Sequence, residues 1–283
     1  MRFDNQGWLT EGANIDPSPN FTDVQNPRHL IVMHYTASYQ APSAIATFKI
    51  KRKPRSSAHF IVETDGGITQ MVATGKVAWH AGGGVYRGKT NVNSFSVGIE
   101  IVNPGYHFEK TGGGYLNWAR KPVRESQLRP FPGMTTHFDP WVGSTAFWPN
   151  FPSAQLDAVE KLTVGLLKAY PTISEIVGHR DVDSVRRMKV DPGPAFPMLR
   201  FRKLLDSRRE KDDPIYAAKV ARADKLNVRG GPASTFDTLD WGPLRVGDFV
   251  EVHHRDGDWD YIRRYIDGVP REGWVHSAYL DPR

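Results

Sequence analysis

Three side chains scattered along the chain, His34, His179 and Asp191, constrain its fold more than any other feature of the sequence. His34 lies in Ile31-Val32-Met33-His34-Tyr35-Thr36-Ala37, and His179 in Ile176-Val177-Gly178-His179-Arg180-Asp181. Asp191 lies in Lys189-Val190-Asp191-Pro192-Gly193-Pro194. Two imidazoles and one carboxylate are the donor count of a catalytic zinc site that keeps its fourth position open for water. Such a site turns water into a nucleophile near neutral pH. The set therefore points to a hydrolase, and to a fold that brings three separated segments together.

At 283 residues the chain exceeds the usual single-domain size, so one large domain with a small one is expected. A hydrophobic content of 39% with 24% charged residues describes a soluble protein able to bury a core. No apolar run approaches the length of a membrane span. The start, Met1-Arg2-Phe3-Asp4-Asn5-Gln6, lacks the apolar stretch of a secretory signal. The protein is therefore expected in the cytoplasm at synthesis, with release or export to the cell wall left open. Cysteine is absent, which removes disulfides, thiolate ligands and a cysteine nucleophile. A net charge of +6 favours a polyanionic partner. Nucleic acid and the bacterial cell envelope both meet that description.

The apolar run Leu30-Ile31-Val32-Met33 reads as a buried strand with His34 at its carboxyl end. A short helix is predicted from Ser43 to Lys51, opened by Pro42, and its basic tail from Lys49 to Arg55 reads as a solvated helix end. Thr64-Asp65-Gly66-Gly67 between two apolar runs predicts a hairpin. Ser96 to Val102 reads as a strand carrying Glu100. From Asn103 to Pro152 the chain turns to Gly, Pro and aromatics with little periodicity. So long an excursion is expected to be functional. A helix follows from Ser153 to Ala169, then a strand from Ile173 to Gly178 that delivers His179, then a helix from Met198 to Arg209. The fold expected is α/β, a central mixed sheet flanked by helices, over residues 1–210. Residues 211–216 read as a linker and 217–283 as a small all-β module.

A histidine after a strand is more often structural than a ligand, and an aspartate before Pro-Gly is ordinarily turn chemistry. The case rests on the combination, and further motifs extend it. They are Ser57-Ala58-His59-Phe60, Asp65-Gly66, Ala78-Trp79-His80-Ala81-Gly82, Val97-Gly98-Ile99-Glu100 and Gly193-Pro194-Ala195-Phe196-Pro197. Over roughly residues 25 to 205 the chain resembles the zinc-dependent N-acetylmuramoyl-L-alanine amidases, which share their fold with peptidoglycan-recognition proteins. The resemblance implies one zinc ion held by His34, His179 and Asp191. It also implies Glu100 as general base and Lys189 as the cation that stabilises the transition state.

By pattern alone Glu100, alternating with Val97, Ile99 and Ile101, reads equally as a surface residue of an edge strand. The resemblance assigns it to the site. Ala58 stands where one branch of the family has tyrosine, and matches the branch whose glutamate does the base work. His80, Trp79 and His59 are expected to bind substrate, although a histidine or tryptophan at such a position is as readily core. The segment from Arg180 to Met188 and the excursion are longer than in minimal members, and both are expected to rim the cleft.

The tail resembles bacterial SH3-like domains through Leu226-Asn227-Val228-Arg229-Gly230-Gly231-Pro232 and Gly273-Trp274-Val275-His276-Ser277-Ala278-Tyr279-Leu280. By that resemblance it is a small SH3-like barrel able to bind a cell-wall peptide and raise the effective concentration of the wall. The expectation is a hydrolase of peptidoglycan or muropeptides, cutting between N-acetylmuramic acid and L-alanine by attack of zinc-bound water. Cell-wall lysis by an endolysin is one setting for it. The alternative is a non-catalytic peptidoglycan receptor on the same fold, which loss of a zinc ligand would mark. Nucleic acid is not an expected partner.

Overall fold

The computed structural model describes residues 1–283 except 52, 54, 184–187, 213–215, 221, 267, 268 and 283. Parts of the basic run, of the loop after His179 and of the expected linker therefore lie outside the described residues. The chain forms two compact units, Met1–Leu205 and Asp206–Arg283. The division falls within the helix Met198–Asp212, so the first residues of the expected linker are helical.

The first unit is built on a six-stranded mixed sheet. Its order is Asn14–Ile15, Ile68–Gln70, Phe60–Val62, Ser96–Ile101, Leu30–Tyr35, Glu175–Gly178. The last four strands in that order run parallel, and Leu30 to Met33 and Phe60–Val62 are continuous apolar runs because both faces are covered. Leu30 to Met33 are all buried. Phe60–Val62 and Ile68–Gln70 form the antiparallel hairpin, closed where the Asp65 carboxylate accepts the Gly67 N–H. Parallel strands place their carboxyl ends on one edge, where ligands bind in open α/β sheets. His34, Glu100 and Gly178 all end on that edge.

The helix Ser153–Ala169 buries Val159, Leu162, Leu166 and Leu167 against the sheet at helical spacing. A fully buried leucine contributes about 1.5–3 kcal/mol of transfer free energy, so this stripe holds the helix in place. On the same face, Gln155 donates to the carbonyls of Val62 at 3.1 Å and Val102 at 2.9 Å, satisfying the ends of two strands. The helix expected from Ser43 to Lys51 runs instead over Ala41–Phe48, with Pro42 in its first turn.

The excursion is not irregular. It forms a second, four-stranded antiparallel sheet in the order Tyr115–Asn117, His107–Glu109, Ser144–Pro149, Met134–Asp139. Its strands of three and six residues bury only parts of each face, so no apolar alternation announces them. The second unit is a five-stranded antiparallel sheet in the order Val269–His276, Trp259–Ile266, Phe249–Asp256, Tyr216–Val220, Leu280–Pro282. Its core comprises Ala218, Val220, Leu226, Val228, Leu244, Val250, Val252, Ile262 and Val275. Asp260, also buried, accepts two hydrogen bonds from Arg255 at 2.7 and 2.9 Å, as a buried charge must.

His59 corrects one expectation. It has no solvent exposure. Its Nδ1 accepts the Gly98 N–H and its Nε2 donates to the Lys76 carbonyl, both at 3.0 Å. With both nitrogens spent on backbone, it clasps the sheet and has none left for substrate. Burial lowers its pKa to about 4, so the folded protein holds it neutral. Between pH 6.5 and 4 the unfolded chain binds a proton that the folded chain refuses, and stability falls as pH is lowered through that window. The difference amounts to about 3 kcal/mol at most. His59→Gln retains one acceptor and one donor but cannot titrate. Thermal midpoints measured from pH 7 to 4 are expected to fall less steeply for this variant than for wild type; parallel curves would contradict the account.

Candidate metal centre

The parallel pairing of Leu30–Tyr35 with Ser96–Ile101 sets His34 directly beside Glu100. Glu175–Gly178 lies along the other side of the His34 strand, and the chain turns at Gly178 into the one-turn helix His179–Val182. The Arg180 N–H donates to the Asp191 carbonyl at 3.0 Å, which folds the Asp191 loop back over that helix. Three donor atoms meet as a result. His34 Nδ1 lies 3.0 Å from His179 Nδ1 and 3.1 Å from Asp191 Oδ2, and His179 Nδ1 lies 3.0 Å from the same oxygen. All three residues are buried, and the cluster can hold a metal ion. Donors on a tetrahedral ion with bonds near 2.0 Å stand about 3.3 Å apart, so the triangle fits one with little adjustment.

The hydrogen bonds behind His34 assign its proton. Ser96 Oγ donates to the Val92 carbonyl at 2.6 Å, so it accepts from His80 Nε2 at 3.2 Å. His80 Nδ1 is then an acceptor and takes the Nε2 proton of His34 at 3.0 Å. This chain leaves a lone pair on His34 Nδ1, facing His179 and Asp191, as a metal ligand requires. Burial, then the neighbouring His179, lowers the His34 pKa to about 4. Burial and the adjacent His34 hold His80 well below its ordinary value. Burial works against an ionised Asp191, but the neighbouring His179, through its charge and its hydrogen bond, wins and keeps the carboxyl well below the usual carboxylate range.

The cluster opens into a cleft of about 690 Å³. Glu100 and Lys189 line it together with Trp79, Tyr106, Trp118 and Trp141. Burial, and then the Asp191 charge, push Glu100 well above the usual carboxylate range, while Lys189 pulls the other way. Glu100 Oε2 is buried without a hydrogen-bond partner among the described residues. Its strand is central in the sheet, which removes the edge-strand reading. Lys189 is exposed, and its backbone N–H donates to Asp183 Oδ2 at 2.9 Å.

Of the residues expected to touch substrate, Trp79 lines the cleft and donates from its indole to Thr22 Oγ1 at 2.9 Å. The His80 ring also borders the cleft, but both its nitrogens are engaged, so it stands behind His34. Gly98 leaves room for it: a Cβ there would lie 2.5 Å from the His80 ring. Sequence reasoning missed Ser96 and Asp183, and it set the excursion at the cleft without singling out Tyr106, Trp118 or Trp141. A buried serine or aspartate whose partner lies far along the chain leaves no local signal.

Comparison with known proteins identifies the family. The sequence pattern of the N-acetylmuramoyl-L-alanine amidases matches residues 24–194, more than half of the chain. The 1,6-anhydro-N-acetylmuramyl-L-alanine amidase AmpD of Citrobacter freundii is 27% identical over 227 residues, covering 74% of this chain and 97% of AmpD. The N-acetylmuramoyl-L-alanine amidase AmiD of Escherichia coli is 30% identical over 195 residues, 66% of this chain and 56% of AmiD. The structure of AmiD in complex with anhydro-N-acetylmuramic acid-L-Ala-D-gamma-Glu-L-Lys superposes with a TM-score of 0.46 at 26% identity, over 64% of this chain and 59% of that one. The matched span holds the three buried donors and the glutamate beside them, and the chain belongs to the N-acetylmuramoyl-L-alanine amidase family.

Proposed function

We propose that this protein is a zinc-dependent amidase that hydrolyses the bond between N-acetylmuramic acid and L-alanine in peptidoglycan or its soluble muropeptides. The observation that carries the reading is the triangle of donor atoms 3.0–3.1 Å apart, with Glu100 paired in register beside His34. His34, His179 and Asp191 would hold the ion. When bound, zinc supplies acidification of water and polarisation of the scissile carbonyl.

The remaining chemistry belongs to the chain's own groups. Glu100, raised toward the working pH by burial, takes the proton of the attacking water and passes it to the leaving amine. Lys189 offers positive charge at the mouth of the cleft, where the carbonyl oxygen becomes anionic. Trp79 supplies an apolar wall against which the substrate is ordered. The names of the AmpD relatives point to 1,6-anhydro-muropeptides as substrates to set beside intact wall. We read the second unit as an SH3-like module that binds a cell-wall peptide, a reading supported by its antiparallel five-stranded sheet and its tail motifs. Such tethering raises the effective concentration of the wall at the active site.

Mass spectrometry of the products tests the reaction. Wild type is expected to release stem peptides beginning with L-alanine from sacculi or anhydro-muropeptides, a chelator to abolish release, and added zinc to restore it. Glu100→Ala is expected to lower the rate by about 10²–10⁴-fold while the zinc content stays at wild-type level. Sustained release in the presence of chelator would overturn the metal dependence. Intact sacculi that bind the protein, with no substrate cleaved, would favour a receptor.

The chain of protons behind His34 has its own test. Gly98→Ala drives a methyl group into the His80 ring, and His80 orients His34. Loss of such an outer partner lowers metal affinity by about 10–100-fold. Competition against a chromophoric chelator is expected to show that loss for Gly98→Ala; unchanged affinity would show that His80 does not orient the ligand.

A further inference from the structure

The residue that follows His179 ties the metal centre to the excursion. Arg180 donates through Nη1 to Asp139 Oδ2 at 2.9 Å and through Nη2 to Asp139 Oδ1 at 3.2 Å. Asp139 ends the strand Met134–Asp139 and has no solvent exposure. Its Oδ1 also accepts the backbone N–H groups of Trp141 at 2.8 Å and Val142 at 3.2 Å. Four donors on one buried carboxylate fix its position. The guanidinium lies 4.5 Å from the centre of the Trp141 ring, which forms part of the cleft wall. Through its backbone N–H to the Asp191 carbonyl, Arg180 touches the loops of two of the three donors.

The two histidines are oriented by different means. The ring of His34 is held from behind by His80. His179 Nε2 is buried and has no hydrogen-bond partner among the described residues, so none of them supports its ring from behind as His80 supports His34. Its placement falls to its backbone, a single helical turn that is too short to hold itself. Among the described residues two side chains, Asp181 and Arg180, anchor that turn. Asp181 accepts from the Gly178 N–H and from Arg202, both at 2.9 Å. Its pairing with Arg202 is open to solvent, the side chains being 36% and 48% exposed, and pairs of that kind contribute little. The Asp139–Arg180 pair is bidentate and its acid is fully buried, the kind that is costly to break. The stronger anchor comes from the excursion.

We propose that Asp139 is a positioning residue for the metal centre, acting through Arg180 to fix the orientation of His179 and the Asp191 loop while holding Trp141 in the cleft wall. The inference rests on the reading of His34, His179 and Asp191 as metal ligands. The excursion then supports the centre from behind as well as rimming the cleft.

The test uses the full chain carrying Asp139→Asn, Arg180→Lys or, as the exposed comparator, Arg202→Ala. Zinc affinity is read by chelator competition, and ligand geometry by the visible spectrum of the cobalt(II)-loaded protein. Asp139→Asn and Arg180→Lys are each expected to weaken zinc binding by about 10–100-fold and to change the cobalt spectrum, with Arg202→Ala matching wild type. Thermal midpoints of the metal-free proteins identify any variant that merely unfolds; should Asp139→Asn do so, Arg180→Lys, which keeps the charge and loses the planar fork, decides the matter. Wild-type affinity and spectrum in a folded variant would overturn the proposal. Failure of the wild type to bind either metal would overturn the metal-centre reading itself, and so separates the two.

Discussion

The carboxylate of Asp191, sunk between two imidazoles, is the interaction on which the rest of the first unit turns. Removing a carboxylate from water costs several kcal/mol even after the surroundings relax. Here the offset comes from hydrogen bonds and from the field of the histidines, yet His34 and His80 are both disposed to stay neutral. The cluster therefore favours a cation, and binding one would couple directly to the stability of the fold. Sheet order, the turn at Gly178 and the return of the Asp191 loop all serve to bring these donors within 3.1 Å of one another.

Much of this was legible in the residues. The Leu30 to Met33 run, the Asp-Gly hairpin turn and the leucine spacing of Ser153–Ala169 each carry a local period, and each forms the element that the period implies. The three ligand-type residues were legible as a set because their motifs are distinctive, and the structure brings them together. Glu100 shows the limit of pattern. Its alternation fits an edge strand, and only pairing on both sides places it in the centre of the sheet.

What could not be read depends on partners far along the chain. Strands of three residues in the excursion, such as His107–Glu109, carry too few positions to display a period. The engagement of every ring nitrogen of His59 and His80 depends on backbone and side-chain groups up to 46 residues away. The excursion was expected to rim the cleft, and its aromatics do line it. Its buried aspartate, however, reaches the residue beside a histidine of the donor cluster across 41 positions, and no local rule anticipates such a bond.

The spacing of the three donors has a consequence for timing. His34 and Asp191 are separated by 157 positions, and the strand that carries the chain to His179 is the last to join the central sheet in sequence order. A chain emerging from the ribosome thus exposes one histidine of the cluster long before the others exist. The site cannot assemble until the whole of the first unit is in hand. A member of this amidase family built this way has no complete set of donors until His179 and Asp191 have been made, so the cluster waits on the last strand of the sheet.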